Sequence, residues 1–63
     1  MKKKLYYTTE VFGDEQKTIY VYEIVGNEPR LLEEIECDSF NSSEDVICNE
    51  LGISFKTHEF IQL

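Results

Sequence analysis

The chain is short of most residues that carry chemistry. Its 63 residues include one histidine, two cysteines, three glycines and one proline, with six bases against thirteen acids. Each shortage removes a class of function. His58, in "KTHEF", has no acid and nucleophile placed to complete a triad, and reads as a solvent-facing residue. Cys37 and Cys48 are separated by ten intervening residues with no CxxC or HxxxH beside them, whereas a closed zinc site needs four soft ligands. They also lack the basic neighbours that activate a thiolate, and read as small buried apolar groups in a reduced protein. A Cys37–Cys48 bridge stays open on parity alone. Gly13, Gly26 and Gly52 are isolated and build no phosphate-binding loop. "DSFNSSED" offers oxygen ligands without the glycine and terminal glutamate of a calcium loop. Neither a cofactor nor a metal is expected, and no catalytic residue is assigned.

The shortage of bases matters more. The formal net charge is −7. Nucleic acid and anionic membranes are bound through basic patches, so neither is expected as a ligand. Lys2, Lys3 and Lys4 form the one basic cluster and read as a solubilising tail. No apolar run reaches membrane-spanning length, and Thr8, Thr9 and Glu10 interrupt any secretory apolar region after the lysines. The expectation is one small cytoplasmic domain spanning residues 1–63. A domain of this size buries only about 60% of its unfolded surface. With disulfide and metal set aside, a partner chain is the remaining source of extra stability.

What the chain does have is β-forming pattern. "KKLYYTTEVF" (3–12) and "KTIYVYEIV" (17–25) are rich in aromatic and β-branched residues, and "GDEQ" (13–16) supplies a turn. "GNEP" (26–29) supplies a second, with Pro29 unable to donate to a ladder. "RLLEEIEC" (30–37) suits either a strand or a helix that puts Leu31 and Ile35 on one face. A strand is preferred, because a segment after a tight turn can pair at once with its predecessor. "FNSSEDVICNELG" predicts a helix over about 42–51. Asn41 and Glu44 have the spacing of a capping box, Val46, Ile47 and Leu51 form the apolar side, and Gly52 suits a left-handed end. "SFKTHEFIQL" (54–63) reads as a last strand. The expected fold is α+β: a three-stranded antiparallel meander, one short helix packed on one face, then a C-terminal strand, in the order β-β-β-α-β.

Two four-residue loops fix an expected register. One face then collects Leu5, Tyr7, Thr9, Val11, Thr18, Tyr20, Tyr22, Ile24, Leu31, Glu33, Ile35 and Cys37, and takes the helix. Tyr7, Tyr20 and Tyr22 on it need partners for their hydroxyls. The opposite face collects Lys4, Tyr6, Thr8, Glu10, Phe12, Lys17, Ile19, Val21, Glu23, Val25, Arg30, Leu32, Glu34, Glu36 and Asp38. One helix cannot cover both sides of a sheet, so this second face is expected to be open. Everything rests on register, because a one-residue slip exchanges the faces.

Charge is unevenly spread. Between Glu28 and Glu50 stand eight acids and one base, Arg30; elsewhere five acids balance five bases. Part of this is local. Glu44 and Asp45 suit a helix first turn, and acids on an edge strand oppose edge-to-edge aggregation. The remainder suggests a negative surface for a basic partner. Same-face residues on a strand lie about 6.8 Å apart. Glu34, Glu36 and Asp38 would therefore form a row spaced near two phosphate steps of a nucleic-acid strand. The expected function is a non-enzymatic protein-binding module with Tyr6, Ile19, Val21 and Leu32 as apolar anchors and Glu23, Glu34, Glu36 and Asp38 as charges. Size and charge, and nothing more specific, match phage-type inhibitors that block a basic nucleic-acid-binding surface. The alternative is a homodimer whose charge serves only solubility.

Overall fold

The computed structural model describes all residues, Met1–Leu63. Its elements are β1 (Lys3–Phe12), β2 (Gln16–Val25), β3 (Glu28–Asp38), α1 (Ser43–Leu51) and β4 (His58–Gln62), which is the expected α+β order. The sheet runs β3-β2-β1-β4. The first three strands form the antiparallel meander, and β4 lies parallel to β1. Helix α1 is thus a crossover from one edge of the sheet to the other. The result is a two-layer slab of 36 × 25 × 15 Å, with the helix on one face only.

Both hairpin loops are shorter than four residues. Phe12 faces Gln16, so residues 13–15 form the first loop, with Gly13 at φ +70°. Val25 faces Glu28, leaving the two-residue loop Gly26–Asn27. Both have positive φ (+57° and +68°), the conformation of a type I′ hairpin turn, whose twist matches that of its strands. Further along, β3 carries a bulge. Val21 faces Glu33 and Tyr22 faces Leu31, so Leu32 is the extra residue.

These changes invert β2 relative to expectation. Ile19 and Val21 lie under the helix, both 0% exposed, and Lys17 joins them on that side. Thr18, Tyr20, Tyr22 and Ile24 face the other way. Each of the two ladder registers beside β2 differs from expectation by one residue above the bulge. The two differences cancel between β1 and β3. The upper half of β3 therefore keeps its expected orientation, with Ile35 and Cys37 toward the helix and Glu34, Glu36 and Asp38 away from it. Leu31, on the other side of the bulge, is turned to the face opposite that expected.

The core is five buried side chains, Tyr7, Ile19, Val21, Ile35 and Ile47, ringed by the half-buried Leu5, Cys37, Val46, Leu51, Ile53 and Phe60. Helix α1 contributes the expected apolar side through Val46, Ile47 and Leu51. It ends at Gly52 in the left-handed conformation (φ +67°), and the Ile53 N–H returns to the Cys48 carbonyl. Its start differs from expectation. The N-cap is Ser42, and no side chain caps it. Glu44 instead accepts a hydrogen bond from the Tyr7 hydroxyl at 2.9 Å. The Asn41 carbonyl accepts from the Lys17 ammonium, which also donates to Ser43 Oγ at 3.0 Å. The core is extended by tertiary bonds where a capping box was expected. Residues 54–57 form a turn before β4, and Phe55 meets Phe60 edge-on at 5.4 Å.

Tyr7 gives the fold an alkaline limit. Burial first, then the hydrogen bond to Glu44 and that group's charge, hold the phenol above its ordinary 10.0. The folded state keeps this proton longer than the unfolded state does. The stabilisation is therefore complete below the ordinary tyrosine value and is lost as pH rises through the raised one. Urea midpoints measured from about pH 8 to about pH 11 should fall more steeply above pH 10 in the wild type than in Tyr7→Phe. Parallel curves would show that this phenol does not set the limit.

Candidate partner-binding face

The sheet face away from α1 is uncovered. The register lays it out in cross-strand rows. Phe12, Gln16 and Asp38 form the first row; Glu10, Thr18 and Glu36 the second; Thr8, Tyr20 and Glu34 the third. Tyr6, Tyr22 and Leu31 form the fourth, with Ile61 of β4 beside Tyr6. One half of the face is thus acidic and aromatic, and the other half is mostly apolar.

Four of the residues expected to bind a partner come together here: Tyr6, Glu34, Glu36 and Asp38. Three others, Ile19, Val21 and Glu23, do not belong to the face. Ile19 and Val21 are the centre of the core, and as fully buried side chains they cannot anchor a partner. Glu23 is turned to the helix side and sits at the far end of the sheet, 3.8 Å from Arg30. Leu32 occupies the bulge and is exposed; Leu31, Ile24 and Val25 are also exposed on the strands around the second hairpin, Ile24 and Val25 on opposite sides of the sheet. Thr18, Tyr20 and Tyr22 of β2 take the places that had been given to Ile19 and Val21, while Phe12 of β1 stays on the face where it was expected. The "GN" pair at 26–27 was the available signal, since Gly-Asn between two strand patterns marks a two-residue hairpin.

The acids of the face have no cationic partner in the chain. The one ion pair is Arg30 with Glu23. Lys17 is 8% exposed and faces the opposite side. Lys3 and Lys4 stand on β1 opposite His58 and Glu59 of β4, at the far end of the sheet from Asp38. Within the face, the Tyr20 hydroxyl donates to Glu10 Oε2 at 3.4 Å. Burial chiefly, then the charges of Glu10 and Glu34, keep that phenol protonated beyond its ordinary range.

Comparison with protein-family models, with curated proteins and with solved structures finds no match.

The other chemistry-bearing groups remain scattered. Cys37 and Cys48 are free and half-buried, less enclosed than expected. Burial, then the acids Asp45 and Glu44, push the Cys48 thiol upward, away from a reactive thiolate. His58 is half-buried on the helix side, its Nδ1 2.8 Å from Thr57 Oγ1. No three His, Cys, Asp or Glu side chains converge as a metal site. No helix is long and apolar enough to cross a membrane.

Proposed function

We propose that the chain is a non-enzymatic binding module that docks its open sheet face on a basic surface of another protein. The observation that carries this reading is the row Glu34, Glu36 and Asp38, with Glu10 across the sheet, none of them paired with a cation of the chain. A rigid strand holds the row at a repeat of about 6.8 Å. Such a row is complementary to a groove that otherwise takes a nucleic-acid backbone, and long-range attraction raises the association rate. Tyr6, Tyr20 and Phe12 supply the apolar contact area beside it. Inhibition of a nucleic-acid-handling protein is the role this chemistry fits best.

The double variant Glu34→Lys/Glu36→Lys tests the reading. Both side chains are exposed on a strand edge, so folding should persist while capture of a basic partner is lost. Capture by the folded variant at wild-type strength would sink the proposal.

A second reading has its own observation. Ile24, Val25, Leu31 and Leu32 are all exposed around the second hairpin, and a second copy seated there would enlarge a very small core. Sedimentation separates the two. A homodimer dissociates on dilution and is indifferent to salt, whereas a complex made by the acidic row weakens steeply as salt rises.

A further inference from the structure

The acidic half of the face is not a flat surface. Thr18 is the smallest side chain among its immediate neighbours, and a cleft of about 480 Å³ opens over it, lined by Phe12, Thr18, Tyr20, Glu34 and Glu36. Thr18 itself is 8% exposed, yet its hydroxyl takes part in none of the side-chain hydrogen bonds of the chain. The pairings Glu10↔Thr18↔Glu36 place a carboxylate-bearing residue on each side of it, and Tyr20 and Phe12 close the cleft along the strand direction. Phe12 is 51% exposed, so its ring is open to a partner at the edge of the cleft.

The chemistry of this lining is narrow. Two aromatic rings attract a cation through their faces. Glu34 and Glu36, about 6.8 Å apart on one strand face, offer acceptors to a broad, planar donor. A guanidinium has five N–H donors in one plane, stacks on rings and is more weakly hydrated than an ammonium, so it leaves water at lower cost. A compact metal ion would need carboxylates converging on one point, which this face does not provide. A phosphate or a fatty chain meets the wrong charge or too little apolar wall.

Building on the reading of the face as a basic-partner surface, we propose that the cleft over Thr18 is a receptor for one arginine side chain of that partner. The arginine stem lies along Phe12. Its guanidinium faces Glu34, Glu36 and the ring of Tyr20, and the free Thr18 hydroxyl accepts one of its N–H groups. The acidic row then supplies attraction at a distance, while the cleft selects arginine over lysine.

The test uses the full chain and three blocked tripeptides of the form Gly-X-Gly, in which X is arginine, lysine or citrulline, followed by nuclear magnetic resonance. The arginine peptide should shift the resonances of Phe12, Thr18 and Tyr20 and bind about fivefold or more tightly than the lysine peptide. Citrulline, which keeps the shape and loses the charge, should leave these resonances unmoved. Phe12→Ala and Glu36→Gln should each weaken the arginine peptide while the methyl signals of Ile19 and Ile47 stay in place. If Phe12→Ala fails to fold, Glu36→Gln carries the test alone. Equal binding of the arginine and lysine peptides, with shifts spread along β3, would overturn the arginine receptor and leave the acidic-surface reading standing. No binding of either peptide at low salt would overturn the receptor, and the partner capture by Glu34→Lys/Glu36→Lys then decides the wider reading by itself.

Discussion

Ile19→Ala should unfold the protein, and Tyr20→Ala, one position along, should not. Ile19 is fully buried beneath α1, between Thr9 of β1 and Ile35 of β3, and packs in the same cluster as Ile47. Truncating such a side chain costs about 2–5 kcal/mol, the lost transfer energy plus the cavity left behind. At about 0.05–0.15 kcal/mol per residue, a chain of this length has about 3–9 kcal/mol in total. A single core methyl cluster is therefore a large fraction of the whole. Tyr20 has one side on the open face, and its hydroxyl bond to Glu10 is long and exposed. Circular dichroism and a urea titration of the two variants would settle the register of β2. Loss of the fold in Tyr20→Ala, with Ile19→Ala still folded, would mean that β2 presents the opposite side to the helix.

Lys17→Met should be the most damaging substitution of a charged residue. The Lys17 ammonium reaches from β2 to the segment that leads into α1, donating to the Asn41 carbonyl and to Ser43 Oγ. A cation near a helix N-terminus opposes the helix dipole, and Glu44 and Asp45 in the first turn offset it. Methionine fills a similar volume but leaves the Asn41 carbonyl without this donor. Asn41 is exposed and the bond is part-buried, so water can replace some of what is lost, and the expected cost is about 1 kcal/mol, the net worth of one hydrogen bond. The urea midpoint should fall accordingly, with the slope unchanged. A midpoint equal to or above that of the wild type would show that the lysine bonds do not hold the helix entry.

The strands, the helix and their order were legible because each depends on local pattern. Alternating β-branched and aromatic residues mark β1 and β2, and Gly52 stops α1 where a left-handed residue is required. The face of β2 was not legible, for a physical reason. "TIYVYEI" is apolar at odd and even positions alike, so alternation cannot choose which side is buried. The choice falls to loop geometry, and there one residue decides everything. Gly26 and Asn27 both adopt positive φ and close the hairpin in two residues, and Leu32 adds one to β3. The acidic row was legible because the deviations on either side of β2 cancel for residues 33–38. The cleft over Thr18 was not, because it exists only when β2 turns Thr18 and Tyr20 outward. Lys17 was hidden for the same reason, and a long polar side chain gives no pattern that foretells a tertiary bond 24 residues away.

The parallel pairing of β4 with β1 also bears on how the molecule comes together in time. The two hairpins close over loops of three and two residues, and such local closures are fast. The last ladder must bring residue 58 beside residue 3, after the helix has crossed the whole sheet. Loop-closure entropy is therefore met at the end, by a strand of only five residues. Without β4, β1 would be a bare strand edge with lysines at its start, and the core would lack Phe60. The topology therefore predicts a quick meander and a slower final seal, which stopped-flow refolding followed at Phe60 would check.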